Sequence, residues 1–204
     1  MSEQRFVYFA DPMCSWCYGF APVISTLAER FEGRLGLQVV MGGLRAGHAT
    51  PMGAEDKAYI RDAWTRVHAA SGQPFDFAFL ERKGFVYDTE PACRAVVTAR
   101  RLKPQMALPF MARISQAFYA ESRDMTSADE IAAVADEAGF DRHEFGDTFL
   151  AAQELGIRGF PTLIAGSEDK GYALVTNGYR ALEDVLEPLE RWWANGAPVT
   201  VRAN

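Results

Sequence analysis

Asp11-Pro-Met-Cys14-Ser-Trp-Cys17-Tyr-Gly-Phe-Ala-Pro22 decides how the rest of this sequence is read. Before it, Arg5 to Ala10 is an apolar run that predicts a buried strand. After it, Phe20, Val23, Ile24, Leu27 and Phe31 recur at helical spacing, so one helix face packs on a sheet. Cys14 and Cys17 therefore fall where a strand gives way to a helix. Unpaired N–H groups at a helix start favour a thiolate over a thiol. Thiols so placed drop from about 8.5 to roughly 3.5–7.5. Cys17, one turn on, shares the face of Cys14 and can resolve a mixed disulfide formed there. Pro22 sits inside the helix, where it should remove a backbone hydrogen bond and kink it.

Working outward, Gly33 ends this helix and Leu35 to Met41 predicts a second strand, parallel to the first because a helix lies between them. The Gly42-Gly43 loop then leaves the sheet on the edge that carries Cys14. From about Glu55 to Leu155 the pattern turns helical. Ile60, Trp64 and Val67 mark one helix closed by Gly72, and Thr89-Glu-Pro opens another with Thr89 as cap. Met111, Ile114 and Phe118 mark a third. Ser127 with Glu130 reads as a capping box, and Asp141 with Glu144 repeats that signal. Phe75, Phe77 and Phe79 alternate in a stretch whose state the pattern does not fix. Strand signals return at Pro161–Ala165 and Tyr172–Thr176 as a hairpin, followed by an amphipathic helix over Tyr179–Trp193. The fold class is α/β, strand–helix–strand, a helical block, then strand–strand–helix. Residues 1–43 with 156–204 form one domain, interrupted by a helical subdomain over 44–155.

Composition narrows the function. The chain of 204 residues is 49% apolar with 24% charged, and 27 acidic against 21 basic residues give a net charge of −6. That balance offers no general basic surface for nucleic acid or anionic lipid. No apolar run approaches the roughly 20 residues needed to cross a bilayer. The start, Met-Ser-Glu-Gln-Arg, shows no leader pattern, so a cytoplasmic location is expected. Three cysteines in a chain of this size do not make a disulfide scaffold. A Cys-x-x-Cys beside a strand–helix–strand pattern reads as redox or metal chemistry.

Two separated segments, Cys14-Ser-Trp-Cys17 with Ala21-Pro22 and Gly156-Ile-Arg-Gly-Phe-Pro161-Thr-Leu163, resemble the thioredoxin-fold superfamily. The helical block between them resembles the DsbA-like branch, close to its cytoplasmic FrnE-type members and bacterial protein-disulfide isomerases. The resemblance implies a thioredoxin fold with a large helical insertion and a thiol–disulfide oxidoreductase or isomerase. It implies Cys14 as nucleophile, Cys17 as resolving thiol, and Ser15 and Trp16 as the dipeptide that sets redox poise. It further implies Pro161 as a cis-proline facing the thiols, with Phe160, Thr162 and Trp16 against an extended substrate. No cofactor beyond the redox-active disulfide is implied, with glutathione as an optional co-substrate. The implied partners are protein or small-molecule thiols and disulfides, with no nucleic acid and no membrane. Two departures stand out. The dipeptide carries no histidine, and the acid that relatives place six residues before the nucleophile is Tyr8 here. Asp11 is the nearest carboxylate, able to assist proton transfer or to cap the turn.

Other readings were weighed. A zinc site needs two more ligands, and Cys93 with His48, His68 or His143 are candidates unpaired in sequence. Cys93, on or near the apolar stripe of its helix, is expected in the core. His48 and Arg45 lie in the loop on the active-site edge. A glutathione-dependent transferase or isomerase of the kappa or chromene-carboxylate isomerase type shares the insertion, but carries serine at the position of Cys14. A non-catalytic binding module of the same fold is the third reading.

Overall fold

Alternation in the first strand sets the two faces of the sheet. Phe6, Tyr8 and Ala10 turn into the main core, while Val7 and Phe9 join a small cluster with Val40 on the opposite face. In a computed structural model of the chain, residues 4–140, 161–167 and 171–195 are described. Among them, β1 (Arg5–Ala10), α1 (Ser15–Arg30) and β2 (Gly36–Met41) form the strand–helix–strand start. Four helices follow, α2 (Ala54–Ser71), α3 (Glu90–Leu102), α4 (Ala107–Tyr119) and α5 (Ala128–Glu137). A hairpin of β3 (Thr162–Ser167) and β4 (Gly171–Asn177) and the helix α6 (Leu182–Asn195) complete the described order.

The strands form one sheet in the order β2-β1-β3-β4. β1 runs parallel to β2, with Tyr8 beside Val39, and antiparallel to β3, with Tyr8 beside Leu163. β3 and β4 pair antiparallel with an irregularity at Leu163/Ile164. This is the expected α/β architecture, two halves meeting on a shared central strand with the helices α2 to α5 between them in sequence. At the hairpin Gly166 adopts φ +153°, and a Cβ there would meet Gly171 O at 2.1 Å, so only glycine fits.

α1 runs through Pro22 without a break, Pro22 being exposed and Phe20, Ile24 and Leu27 fully buried. The alternating phenylalanines do not form a strand. Phe77–Glu81 is a 3-10 turn, and Phe75, Phe77 and Phe79 all pack around Trp64, which also meets Phe118 and Tyr119. Tertiary packing on a buried indole decides this segment over its own periodicity.

Thr89 and Ser127 stand at the expected N-caps, but neither makes the side-chain bond of a cap. Thr89 occupies the N-cap of α3 but makes no side-chain cap bond, because its hydroxyl faces Asp11 and accepts Arg45 N–H at 3.1 Å. The neighbouring Asp88 accepts Glu90 N–H at 2.9 Å instead. Ser127 likewise makes no cap bond, and Glu130 pairs with Arg123 at 2.8 Å rather than folding back. The last helix starts three residues after Tyr179, and Trp192 rather than Trp193 is its more deeply buried tryptophan. The cap at Asp141 with Glu144, and His143, lie outside the described residues.

Candidate active site

The loop between β1 and α1 is short and pinned on every side. Cys14 is the N-cap residue of α1, with extended backbone (φ −96°, ψ 117°) and no side-chain cap bond. Its N–H donates to Asp11 O at 3.0 Å, and its carbonyl accepts Tyr18 N–H at 3.0 Å, closing the first helical turn. The helical segment clamps the same loop from the other side. Ser115 of α4 donates its hydroxyl to Pro12 O at 2.8 Å, and Tyr87 donates to Met13 O at 2.6 Å. A tyrosine has a single hydroxyl hydrogen, so the 3.1 Å contact between Tyr87 and Tyr119 is a donation from Tyr119. These bonds fix the backbone that presents Cys14.

Cys14, Cys17 and Cys93 are free thiols. Both residues of the pair are buried, Cys14 retaining 6% exposure and Cys17 none. Burial pushes the Cys17 thiol well up, and its hydrogen bond to Cys14 adds to this, while the Asp11 backbone N–H opposes it. Cys17 is therefore a protonated thiol at neutral pH, donating to the sulfur of Cys14.

Asp11 is the keystone of the loop. It is fully buried, and its Oδ1 accepts Met13 N–H at 2.8 Å while Oδ2 accepts Leu44 N–H at 2.7 Å. The Thr89 hydroxyl and the Cys93 thiol also donate to it. Burial raises its carboxyl above the usual carboxylate value despite these four donors. One carboxylate thus ties the Cys14 loop to the Gly42–Arg45 loop and to the start of α3. The loop leaves the sheet where expected, with Gly42 N–H on Ala10 O at 2.7 Å.

The other expected residues are placed as follows. Ser15 and Trp16 are half-buried, and the Trp16 ring lies 5.6 Å from that of Tyr179. Tyr179 in turn donates to Ala70 O at 3.0 Å, joining the last segment to α2. Pro161 is buried, its carbonyl accepting Gly178 N–H at 2.8 Å, and Phe160 lies outside the described residues. Thr162 is buried at the start of β3 opposite Phe9, with its hydroxyl 3.2 Å from Asn177 Oδ1. Arg45 lies over the Tyr87 ring at 5.1 Å, whereas His48 is exposed and His68 bonds Gln73 O at the end of α2. Cys93 is in the core as expected, 2% exposed, but against Asp11 rather than remote from the site.

Tyr87, Tyr119 and Thr89 were not singled out as site residues from sequence. Tyr87 and Thr89 lie just before α3 and Tyr119 ends α4, dozens of positions away, and only the fold brings them to the loop. The aromatic content of 81–119 carried no local mark of that role.

Residues 6–189 match the family model of the DSBA-like thioredoxin domain. A candidate protein disulfide isomerase from Nitrosomonas europaea is 35% identical, with a TM-score of 0.83 over 96% of this chain and 100% of that one. The cytosolic disulfide reductase DsbM from Pseudomonas aeruginosa is 25% identical, with a TM-score of 0.73 over 93% and 95% of the two chains. A structure of DsbM with GSH matches with a TM-score of 0.71 at 25% identity, over 93% and 96%. Among curated proteins, the ClpXP adapter protein SpxH from Halalkalibacterium halodurans is 23% identical over 141 residues. That match spans 67% of this chain but 46% of SpxH, less than half the length of that relative.

Proposed function

We propose, from the premise that this chain belongs to the DSBA-like thioredoxin domain family, that it is a thiol–disulfide oxidoreductase working through Cys14 and Cys17. The observation that carries the reading is the pair of free thiols at the start of α1, Cys14 slightly exposed and Cys17 fully buried. Cys14 attacks one sulfur of a substrate disulfide and forms a mixed disulfide, releasing the other substrate thiol. Cys17 then displaces the second substrate thiol and closes the Cys14–Cys17 disulfide. In the reverse direction a substrate thiol attacks the same disulfide.

In this reading Pro161 and Thr162 serve as the wall facing the thiols, and an extended substrate segment docks along it in the manner of an added strand. Trp16, half-buried and packed against Tyr179, offers a contact surface next to the nucleophile. The similarity to DsbM with GSH supports glutathione as a co-substrate. Among the described residues no helix is long and apolar enough to cross a membrane, and the similarity to a cytosolic reductase supports a cytoplasmic setting.

The test is turnover of a glutathionylated peptide with reduced glutathione as electron source. Cys14→Ser should abolish it. Turnover that survives Cys14→Ser would overturn the assignment.

A further inference from the structure

Tyr8 occupies the middle of the central strand, fully buried, on the face covered by α1. Its ring packs 6.0 Å from that of Phe20, one helical turn beyond Cys17 on the same side of α1. Among the described residues its hydroxyl is a buried polar atom without a hydrogen-bond partner. Both thiols of the pair act on this hydroxyl, Cys17 more strongly than Cys14.

An unpaired buried hydroxyl is costly, and phenylalanine would fill the same space at no such cost. A hydroxyl kept there points to a partner that exists during only part of the cycle. A thiol is a weak acceptor, whereas a thiolate is a strong one. We propose that the Tyr8 hydroxyl donates the hydrogen bond that stabilises negative charge on Cys17 Sγ during the resolving step. This rests on the oxidoreductase reading above.

The step balances within the site. Cys17 Sγ attacks Cys14 Sγ in the mixed disulfide, the Cys14–Cys17 bond forms, and the bond from Cys14 to the substrate sulfur breaks. The proton from Cys17 ends on the departing substrate thiolate. Over the two steps the dithiol loses two electrons and the substrate disulfide gains them. Among the described residues, the Cys14 sulfur, the Asp11 backbone N–H with its carboxylate, and Tyr8 act on the Cys17 sulfur. The Asp11 carboxylate oxygens accept the Met13 and Leu44 N–H groups, so among the described residues that act on Cys17 Tyr8 is the side chain with a proton to donate besides the thiols. Burial and the neighbouring thiols hold the phenol proton on well above the ordinary tyrosine value, so it donates without leaving.

The experiment is rapid mixing of the reduced protein with dithiobis(nitrobenzoate). The first equivalent of nitrothiobenzoate released reports attack by Cys14, and the second reports resolution by Cys17. Cys17→Ser should give the first phase alone, identifying the second. Tyr8→Phe should leave the first phase unchanged, slow the second about 10- to 100-fold, and move its pH midpoint upward. Its melting temperature should be unchanged or higher, since an orphan hydroxyl is removed. A second phase with wild-type rate and midpoint in Tyr8→Phe would overturn the proposal. Collapse of the melting transition in Tyr8→Phe would make the hydroxyl a structural support and overturn it equally. Absence of the first phase in the unmodified protein would instead sink the oxidoreductase reading.

Discussion

Replacing Asp11 by asparagine keeps shape and removes charge, yet the geometry around it makes this substitution far from neutral. Each carboxylate oxygen accepts a backbone N–H, Met13 at 2.8 Å and Leu44 at 2.7 Å. An amide has one accepting oxygen, so in either orientation its NH2 faces one of those N–H groups. A buried backbone donor left unpaired costs about 1–3 kcal/mol, and the remaining bonds lose charge assistance. Asp11→Asn should therefore destabilise by about 2 kcal/mol, or roughly 4–8 °C in melting temperature at this chain length. Asp11→Ala, which strands both donors, should cost about 4 kcal/mol.

The effect also has a pH signature. Burial raises the Asp11 carboxyl above its ordinary value, so the folded protein holds this proton more tightly than the unfolded chain. The stability from that preference is complete below the unfolded value of about 4 and is lost as pH rises through the folded value. Asparagine does not titrate there. The melting-temperature gap between wild type and Asp11→Asn should be widest in acid and narrow as pH rises. Thermal unfolding followed by circular dichroism across that range is the assay. A variant within about 1 °C of wild type would refute the keystone reading of Asp11, and a gap that widens with pH would refute the raised carboxyl.

Trp64 is 1% exposed at the centre of the ring cluster, so Trp64→Ala should cost about 3–5 kcal/mol, seen as a lower urea midpoint. Burial and the Asp11 carboxylate push the Cys93 thiol well up, so brief native alkylation followed by peptide mass mapping should label Cys14 and spare Cys93. Cys93→Ala should keep turnover while losing about 1 kcal/mol of stability through its missing bond to Asp11.

The outline of the fold was legible because it is written in local patterns. The apolar run of β1, helical spacing after Cys14 and two strand runs late in the chain suffice to give the order of the elements along the chain. The site was legible in part. Cys14 and Cys17 are neighbours in sequence, so their pairing needs no tertiary information. The bond from Asp11 to Leu44 spans 33 positions and that from Tyr87 to Met13 spans 74, and no local rule reports either. Tyr8 shows both sides. From sequence it marks a missing acid, and only burial of Cys17 against it makes the hydroxyl a candidate donor. Thr89 and Ser127 carry cap chemistry that the structure spends elsewhere or leaves unused, since Asp11 and Arg123 compete for the same groups.

The most direct test of the central claim is intact-protein mass spectrometry of Cys17→Ser after exposure to oxidised glutathione. Without a resolving thiol the first step has no exit, so each chain should retain one glutathione, mapped to Cys14 and released by a reducing agent. The Cys14→Ser, Cys17→Ser double variant should retain none. Failure of Cys17→Ser to hold glutathione, or an adduct that maps to Cys93, would contradict Cys14 as the nucleophile of a thiol–disulfide oxidoreductase.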